Sequence, residues 1–333
     1  MTPDFAIKVK GEDVTSVWKE HVISISVKDY SSNSKSSDSV TIVLADATET
    51  LVIPDPEVEI EVFLGYSGDD LLEIEKMHSV GKFHVDEVSI SGPPNEITIS
   101  GNSLSLGVGG LGLASLKTRK TRTIEGKTLK TLAELVAADH ELKAEVDTVI
   151  QDINVGTIQQ TEESDTHMLF RTAEKFGVNY KIADNRIIFT QPGNNSNGGN
   201  ASTFVIAYAT ATSWTYKRDK KSDFNSCVAQ YTEDGTCEYL EATVGSGDPV
   251  MKLGTPFENA AQAFAAARAF LDNARRNGAG ITVKLPGRSD IFAGGKINLF
   301  GFPYELRGDW EIEELEHSLS ASGFTTSITS RTV

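Results

Sequence analysis

Six histidines and two cysteines are the scarce reactive side chains of this 333-residue chain. His78 and His84 lie six apart on either side of Gly81, with Glu87 beyond. A twisted hairpin could gather two imidazoles and a carboxylate of that spacing around a metal ion. Spacing sets no third strong ligand, so both read as surface histidines on a loop and a strand. His317 stands beside Glu314 and Glu316 and reads as a hydrogen-bonded structural or interface histidine rather than a general base. Gly107, Gly109 and Gly112 satisfy G-x-G-x-x-G, but a dinucleotide loop must open a helix. The SLKTRKTRTIEG that follows is β-branched without helical periodicity, so the segment reads as a linker or bulge.

Carboxylates abound, as at Asp86, Glu87 and the EIEELE run from Glu311, yet neighbours on a strand point to opposite faces and form no acid/base pair by themselves. No G-x-S-x-G elbow is present, and neither cysteine has a positioned histidine partner. Cys227 and Cys237 flank Asp234-Gly235, where a two-residue hairpin turn would set Cys227 opposite Ala242 and Cys237 opposite Thr232. That register predicts two free thiols, consistent with a reducing cytoplasm. The expected catalytic, cofactor-binding and metal-ligating residues are therefore none, and no cofactor is implied.

The formal net charge of -16 argues against a protein that grips phosphate backbones. The one basic run, Lys117 to Arg122, is short and reads as a solvated strand or linker. No stretch approaches the roughly 20 apolar residues of a membrane helix, and the opening MTPDFAIKVKGEDV lacks a signal peptide's apolar core.

The elements that must position these side chains are mostly strands. VISISV, SVTIVLAD, VEIEVFLGY and NEITISG alternate with period two and are separated by turn formers, which predicts a sandwich or barrel over 1–112. Over 113–200 the pattern changes to α+β. Thr128 caps a helix carrying Leu129, Leu132 and Val136; Ser164 or Asp165 caps a second, with Met168, Leu169, Ala173 and Phe176 on its apolar face and Gly177 ending it. VNYKIADNRIIFT reads as a hairpin, and the Asn/Gly-rich 191–203 stretch as a loop or linker. Strands resume over 201–333 with one long helix at 256–277. For it, Thr255, Pro256 and Glu258 predict a capping box, and Phe257, Ala260, Phe264, Ala267, Leu271 and Ala274 a seam packed on the adjacent barrel. The fold class expected is mainly β with an α+β insertion.

An internal repeat organises the two β-rich parts. EIEVFLGY (59–66) followed by GKFHVDEV (81–88) matches KINLFGF (296–302) followed by GDWEIEEL (308–315). Ile60 aligns with Ile297, Gly81 with Gly308, Phe83 with Trp310, Val85 with Ile312 and Glu87 with Glu314. This predicts two modules of one design, each with an aromatic filling a barrel core. Three such chains would place six similar modules around an axis.

The last eighty or so residues carry a more specific pattern: ARAFLDNARRNG, then GITVKLPGRSDIFAGGKINLFGF, then GDWEIEELEHSLSASGFTTSITSR. With Gly294, Gly295, Gly301, Ile312, His317, Leu319, Gly323, Phe324 and Thr326 in the matching places, the chain resembles the phage late control protein D family, baseplate hubs of contractile tails related to the hub part of type VI secretion spikes. GKTLKTLAELVAADHEL and QQTEESDTHMLFRTAEKFGV resemble two helices of the same family; Thr123-Ile124 departs from its frequent Trp or Tyr. The resemblance implies two tube-type β-barrels, an inserted α+β domain and a homotrimer joining a hexameric tail tube to a trimeric spike. It further implies as partners the tail spike protein, the tube or tube-initiator protein and other baseplate proteins, with DNA only passing through the lumen. The implied location is the virion tail baseplate, assembled in the host cytoplasm. A secretion or injection device, or a peptidoglycan-acting or glycan-binding tail module, is the alternative.

Overall fold

The computed structural model describes residues 2–31, 37–47, 51, 54–56, 58–68, 77–103, 116–183, 186–191, 202–218, 224–232, 239–254 and 256–332. The GVGGLG segment, most of the 191–203 stretch, Asp234-Gly235, Cys237 and Thr255 lie outside these residues.

The first β-module contains β1 (Thr2–Val9), β2 (Glu12–Asp13), α1 (Thr15–Trp18), β3 (Val22–Tyr30), β4 (Ser39–Ala45), β5 (Glu59–Ser67), β6 (His78–Ser91) and β7 (Glu96–Asn102). Its strands run β3-β4-β7-β6-β5-β1. Alternation sends Ile25, Val27, Ile42, Ile60, Val62, Phe83 and Ile99 into one core, as period two requires.

The middle domain has β8 (Arg119–Thr128), α2 (Leu129–Asp139), β9 (Lys143–Val146), β10 (Asn154–Ser164), α3 (Asp165–Phe176), β11 (Asn179–Ala183) and β12 (Arg186–Thr190). The expected caps form: the Thr128 side chain accepts from Thr131 N, Ser164 accepts from His167 N, and Gly177 ends α3 in the left-handed conformation. Leu129, Leu132, Val136, Met168 and Leu169 face a core of their own, and β11 and β12 form the expected hairpin.

The remaining strands are β13 (Thr203–Ala207), β14 (Ser213–Arg218), β15 (Ser226–Thr232), β16 (Tyr239–Gly245), β17 (Val250–Lys252), β18 (Ala279–Pro286), β19 (Lys296–Phe300), β20 (Asp309–Ser320) and β21 (Gly323–Thr332), with α4 (Ala260–Asn277) between β17 and β18. Five of them, in the order β14-β18-β21-β20-β19, build the second module, and β13 pairs parallel with β19. In the first module β1 pairs antiparallel with β5, so the two designs differ at this edge.

Three expectations about the later part are corrected. Helix α4 starts at Ala260, not 256, because the Asn259 side chain accepts from Gln262 N; Glu258 accepts instead from Thr157 N of the middle domain. The helix's buried face runs through Ala263, Ala266, Ala267 and Leu271, and Phe264 is half exposed, since one turn of 3.6 residues from Ala263 reaches Ala266 and Ala267. That face meets β15 and β16 of a separate three-stranded sheet, β16-β15-β17, rather than the barrel. Finally, Cys227 lies opposite Val244 and Thr232 opposite Tyr239, a register displaced by two residues from the expected pairing of Cys227 with Ala242. Cys227 is a buried free thiol.

The repeat is visible in the hydrogen-bond register. Ile60 faces Phe83 across β5 and β6, and Ile297 faces Trp310 across β19 and β20. Gly81 (φ +144) and Gly308 (φ +126) occupy the same point of each hairpin, in a conformation that favours glycine. Each long strand then bulges at the same place, between Val85 and Glu87 in β6 and between Ile312 and Glu314 in β20. A bulge bends its strand and increases local twist, so each module turns at the corresponding residue.

Candidate assembly interface

The feature that joins the two modules is a shared strand. The first half of β20 pairs with β19, while its second half, Glu314–Ser320, pairs antiparallel with Ser24–Tyr30 of β3. The two modules are thus one continuous sheet across the seam. His317 lies opposite Val27 in that seam, 2% exposed, with Nδ1 3.0 Å from Thr326 Oγ1 and its ring 5.9 Å from Phe324. Tyr66 closes the same corner: it packs on Phe324 and donates to the carbonyl of Gly287 at 3.2 Å. Gly287 admits no side chain, since a Cβ there would stand 2.0 Å from the Phe324 ring.

Burial pushes the His317 imidazole down to about 4 from its ordinary 6.5, against the opposing pull of Asp29 and Asp290. The unfolded chain therefore takes up a proton near pH 6.5 that the folded seam refuses until about pH 4. Stability from this site is whole above pH 6.5 and falls as the pH drops toward 4, by at most about 3 kcal/mol. Denaturant titrations between pH 7 and 4 are expected to show this slope, and His317→Gln to flatten it.

A second node ties three bodies together. Asp29, opposite Leu315 in the seam, accepts from Lys181 Nζ of β11 at 3.1 Å through one oxygen and from the Ala293 backbone N–H at 2.7 Å through the other. Lys181 also reaches Asp38 at 2.9 Å and the Tyr30 carbonyl at 3.1 Å. Burial alone would lower the lysine's pKa, but the two carboxylates outweigh it and hold the ammonium charged. Sequence reasoning missed this node. The available signal was phase: Asp29 shares the inward period of Ile25 and Val27, where a charge needs a partner.

Among the described residues, the middle domain holds one arrangement that looks catalytic. Asp165, buried at the first position of α3, accepts from Lys120 at 2.6 Å, Arg122 at 2.8 Å and Gln160 at 2.8 Å, and lies 2.7 Å from His140 Nε2. Burial would raise its pKa, yet bonds from His140, Lys120 and Gln160 and the Arg122 charge together hold it below the usual carboxylate range. Every lone-pair direction is taken by protein, so the carboxylate is a structural anchor for β8, β10 and both helices. Two residues of the basic run expected to be solvated, Lys120 and Arg122, are thus turned inward to it. His78 and His84 both fall on β6, where six residues of extended chain separate them by about 20 Å. The hairpin does not bring them together. Among the described residues no cluster of three His, Cys, Asp or Glu side chains is placed to hold a metal ion, and no helix is long and apolar enough to cross a membrane.

No family model matches the chain. Over 375 residues it is 25% identical to the "Probable baseplate hub protein" of Escherichia phage P2, spanning 98% of this chain and 92% of that protein. Over nearly its whole length it is similar to phage baseplate hub proteins. The hub protein of Escherichia phage 186 matches over the same share of both chains. The tail protein from Neisseria meningitidis MC58 shares the fold of this chain, with TM-score 0.71 and 13% identity over 99% of this chain and 97% of that one. An E. coli type VI secretion component described as similar to bacteriophage T4 tail proteins shares it at TM-score 0.58 and 12% identity, over 98% of this chain and 76% of the other. The resemblance read from the closing hairpin therefore extends over nearly the whole chain, and the mainly β architecture is shared with phage tail proteins.

Proposed function

We propose that this chain is the structural hub of a contractile-tail baseplate, acting as a homotrimer that joins the hexameric tail tube to the trimeric central spike. The carrying observation is the duplicated module with matching register, glycine and bulge. Two equivalents per chain let three chains present six similar surfaces to a six-fold tube and three to a spike. The work is architectural: it consists of matching symmetries and leaving an axial passage, with no reaction catalysed. The net charge of -16 suits a passage along which DNA slides without sticking. The hub resides in the virion tail baseplate and assembles in the host cytoplasm with spike, tube and other baseplate proteins.

Native mass measurement and negative-stain images of the purified chain, alone and with its spike, test the proposal. Three-copy particles with a six-lobed ring are expected. A chain that remains a monomer in the presence of spike overturns it.

A further inference from the structure

The seam between β20 and β3 has an unfilled counterpart. Register relates the modules strand by strand: Ile99 faces Ile42, which faces Ile25, in the first; Ile328 faces Val283, which faces Trp214, in the second. Hence β7 corresponds to β21, β4 to β18 and β3 to β14, while the shared bulge sets β6 over β20. By this correspondence the end of β6, beyond its bulge, should have a β14-type strand beside it, as the end of β20 has β3. Within one chain it does not. The pairing of β5 with β6 ends at His84, and β14 pairs with β18 alone among the described strands. The two edges stand at separate points of the sheet, divided by the strands from β18 to β7.

The side chains record the vacancy. Ile90 is 65% exposed, whereas its counterpart His317 is 2% exposed; Val88 is half-buried where Leu315 is fully buried. On β14, Trp214 and Tyr216 are half-buried where Ile25 and Val27 are fully buried. An exposed isoleucine on an open strand edge invites pairing.

We infer that one copy of the chain joins the next by antiparallel pairing of the end of β6 with β14, Val88 opposite Arg218 and Ile90 opposite Tyr216. The register is carried over from Leu315 opposite Asp29 and His317 opposite Val27. It places Lys217 opposite Ser89 and diagonal to Glu87, an attractive pair across the junction. The occupant is a second copy because the chain itself carries both complementary edges. Since the two edges differ, the contact is head-to-tail and must close into a ring or run on as a filament. Closure at three copies rests on the ring proposed above.

Cysteines at Ile90 and Tyr216 in a Cys237→Ser background test the register, because directly opposite side chains lie about 5 Å apart at Cβ. With a short bismaleimide reagent the full-length double variant is expected to give covalent multimers ending at three copies, and each single variant none. Ile90→Asp is expected to weaken assembly at least tenfold with the monomer's melting unchanged. Three-copy particles that do not cross-link, or that tolerate Ile90→Asp, overturn the edge assignment and leave the ring intact. Cross-linked ladders running far past three copies support the pairing and overturn three-fold closure. A chain that stays monomeric and uncross-linked at every concentration overturns both.

Discussion

Replacing Asp165 with alanine is expected to destabilise the middle domain by about 3–5 kcal/mol, the usual cost of removing one partner from a buried ionic cluster. Lys120, Arg122 and His140 converge on that carboxylate, and without it the two cations are left sharing the partly exposed Asp139 while His140 loses its acidic partner. The Gln160 amide would lose one of its acceptors as well. Asp165→Asn keeps the volume but not the charge and should fall between alanine and the native residue. The carboxylate is ionised in the fold at a lower pH than in the unfolded chain. Its contribution is therefore complete above the ordinary carboxylate pKa and is lost as the pH falls through the depressed folded value. Hydrogen exchange at the α3 amides, followed against pH and denaturant, reads both effects. Wild-type protection in the alanine variant would show that the cluster does not hold the domain.

The second large effect is expected at the aromatic pair of the repeat. Trp310→Ala should cost the second module about 3–5 kcal/mol, through a cavity among Ile297, Ile312 and Leu315. The indole also donates from Nε1 to the Leu306 carbonyl at 2.9 Å, an acceptor the variant leaves without that donor. Phe83→Ala should produce a loss of similar size in the first module, where the ring faces Ile60. The surroundings differ in one respect. The Phe83 ring tip comes within 2.7 Å of where a Gly81 Cβ would stand, while the space beside Gly308 is open. Gly81→Ala should therefore disturb its aromatic and Gly308→Ala only its own backbone. Calorimetric scans of the four variants, compared pairwise, test whether the two modules are built alike.

Local features of the fold were legible because short-range chemistry dictates them. Thr128, Ser164 and Gly177 cap their helices through side chains and backbone within a few residues, and the strands declare themselves by alternation. The repeat was legible because each first strand ends in glycine and an aromatic and each second strand opens with glycine followed by an aromatic, so like residue types mark Ile60 opposite Phe83 and Ile297 opposite Trp310 although the connecting segments differ in length. What escaped depends on contacts distant in sequence or on loop length. Thr255 and Asn259 are both adequate caps by residue type; Asn259 caps the helix, and Glu258 accepts from Thr157 of the middle domain, a contact distant in sequence. The register at Cys227 is displaced by two residues from the one a turn centred on Asp234-Gly235 would set. No local pattern joins Asp29 to Lys181 and Ala293, and none tells β20 to leave β19 midway for β3. The assembly edge became readable only once that internal seam supplied its template.

The β3–β20 seam also has a consequence for the order of folding. Ser24–Tyr30 emerges from the ribosome almost three hundred residues before Glu314–Ser320, its partner. The first module can bury its core early, since β3 through β7 are contiguous, but one side of β3 must wait for the last strands to be synthesised. Until β20 is made the nascent chain therefore carries an incomplete sheet, and only the synthesis of Glu314–Ser320 seals it. A prematurely ended chain keeps that edge open and lacks the strand that would bring its two halves into one arc, so it is poorly suited to enter a ring beside complete copies.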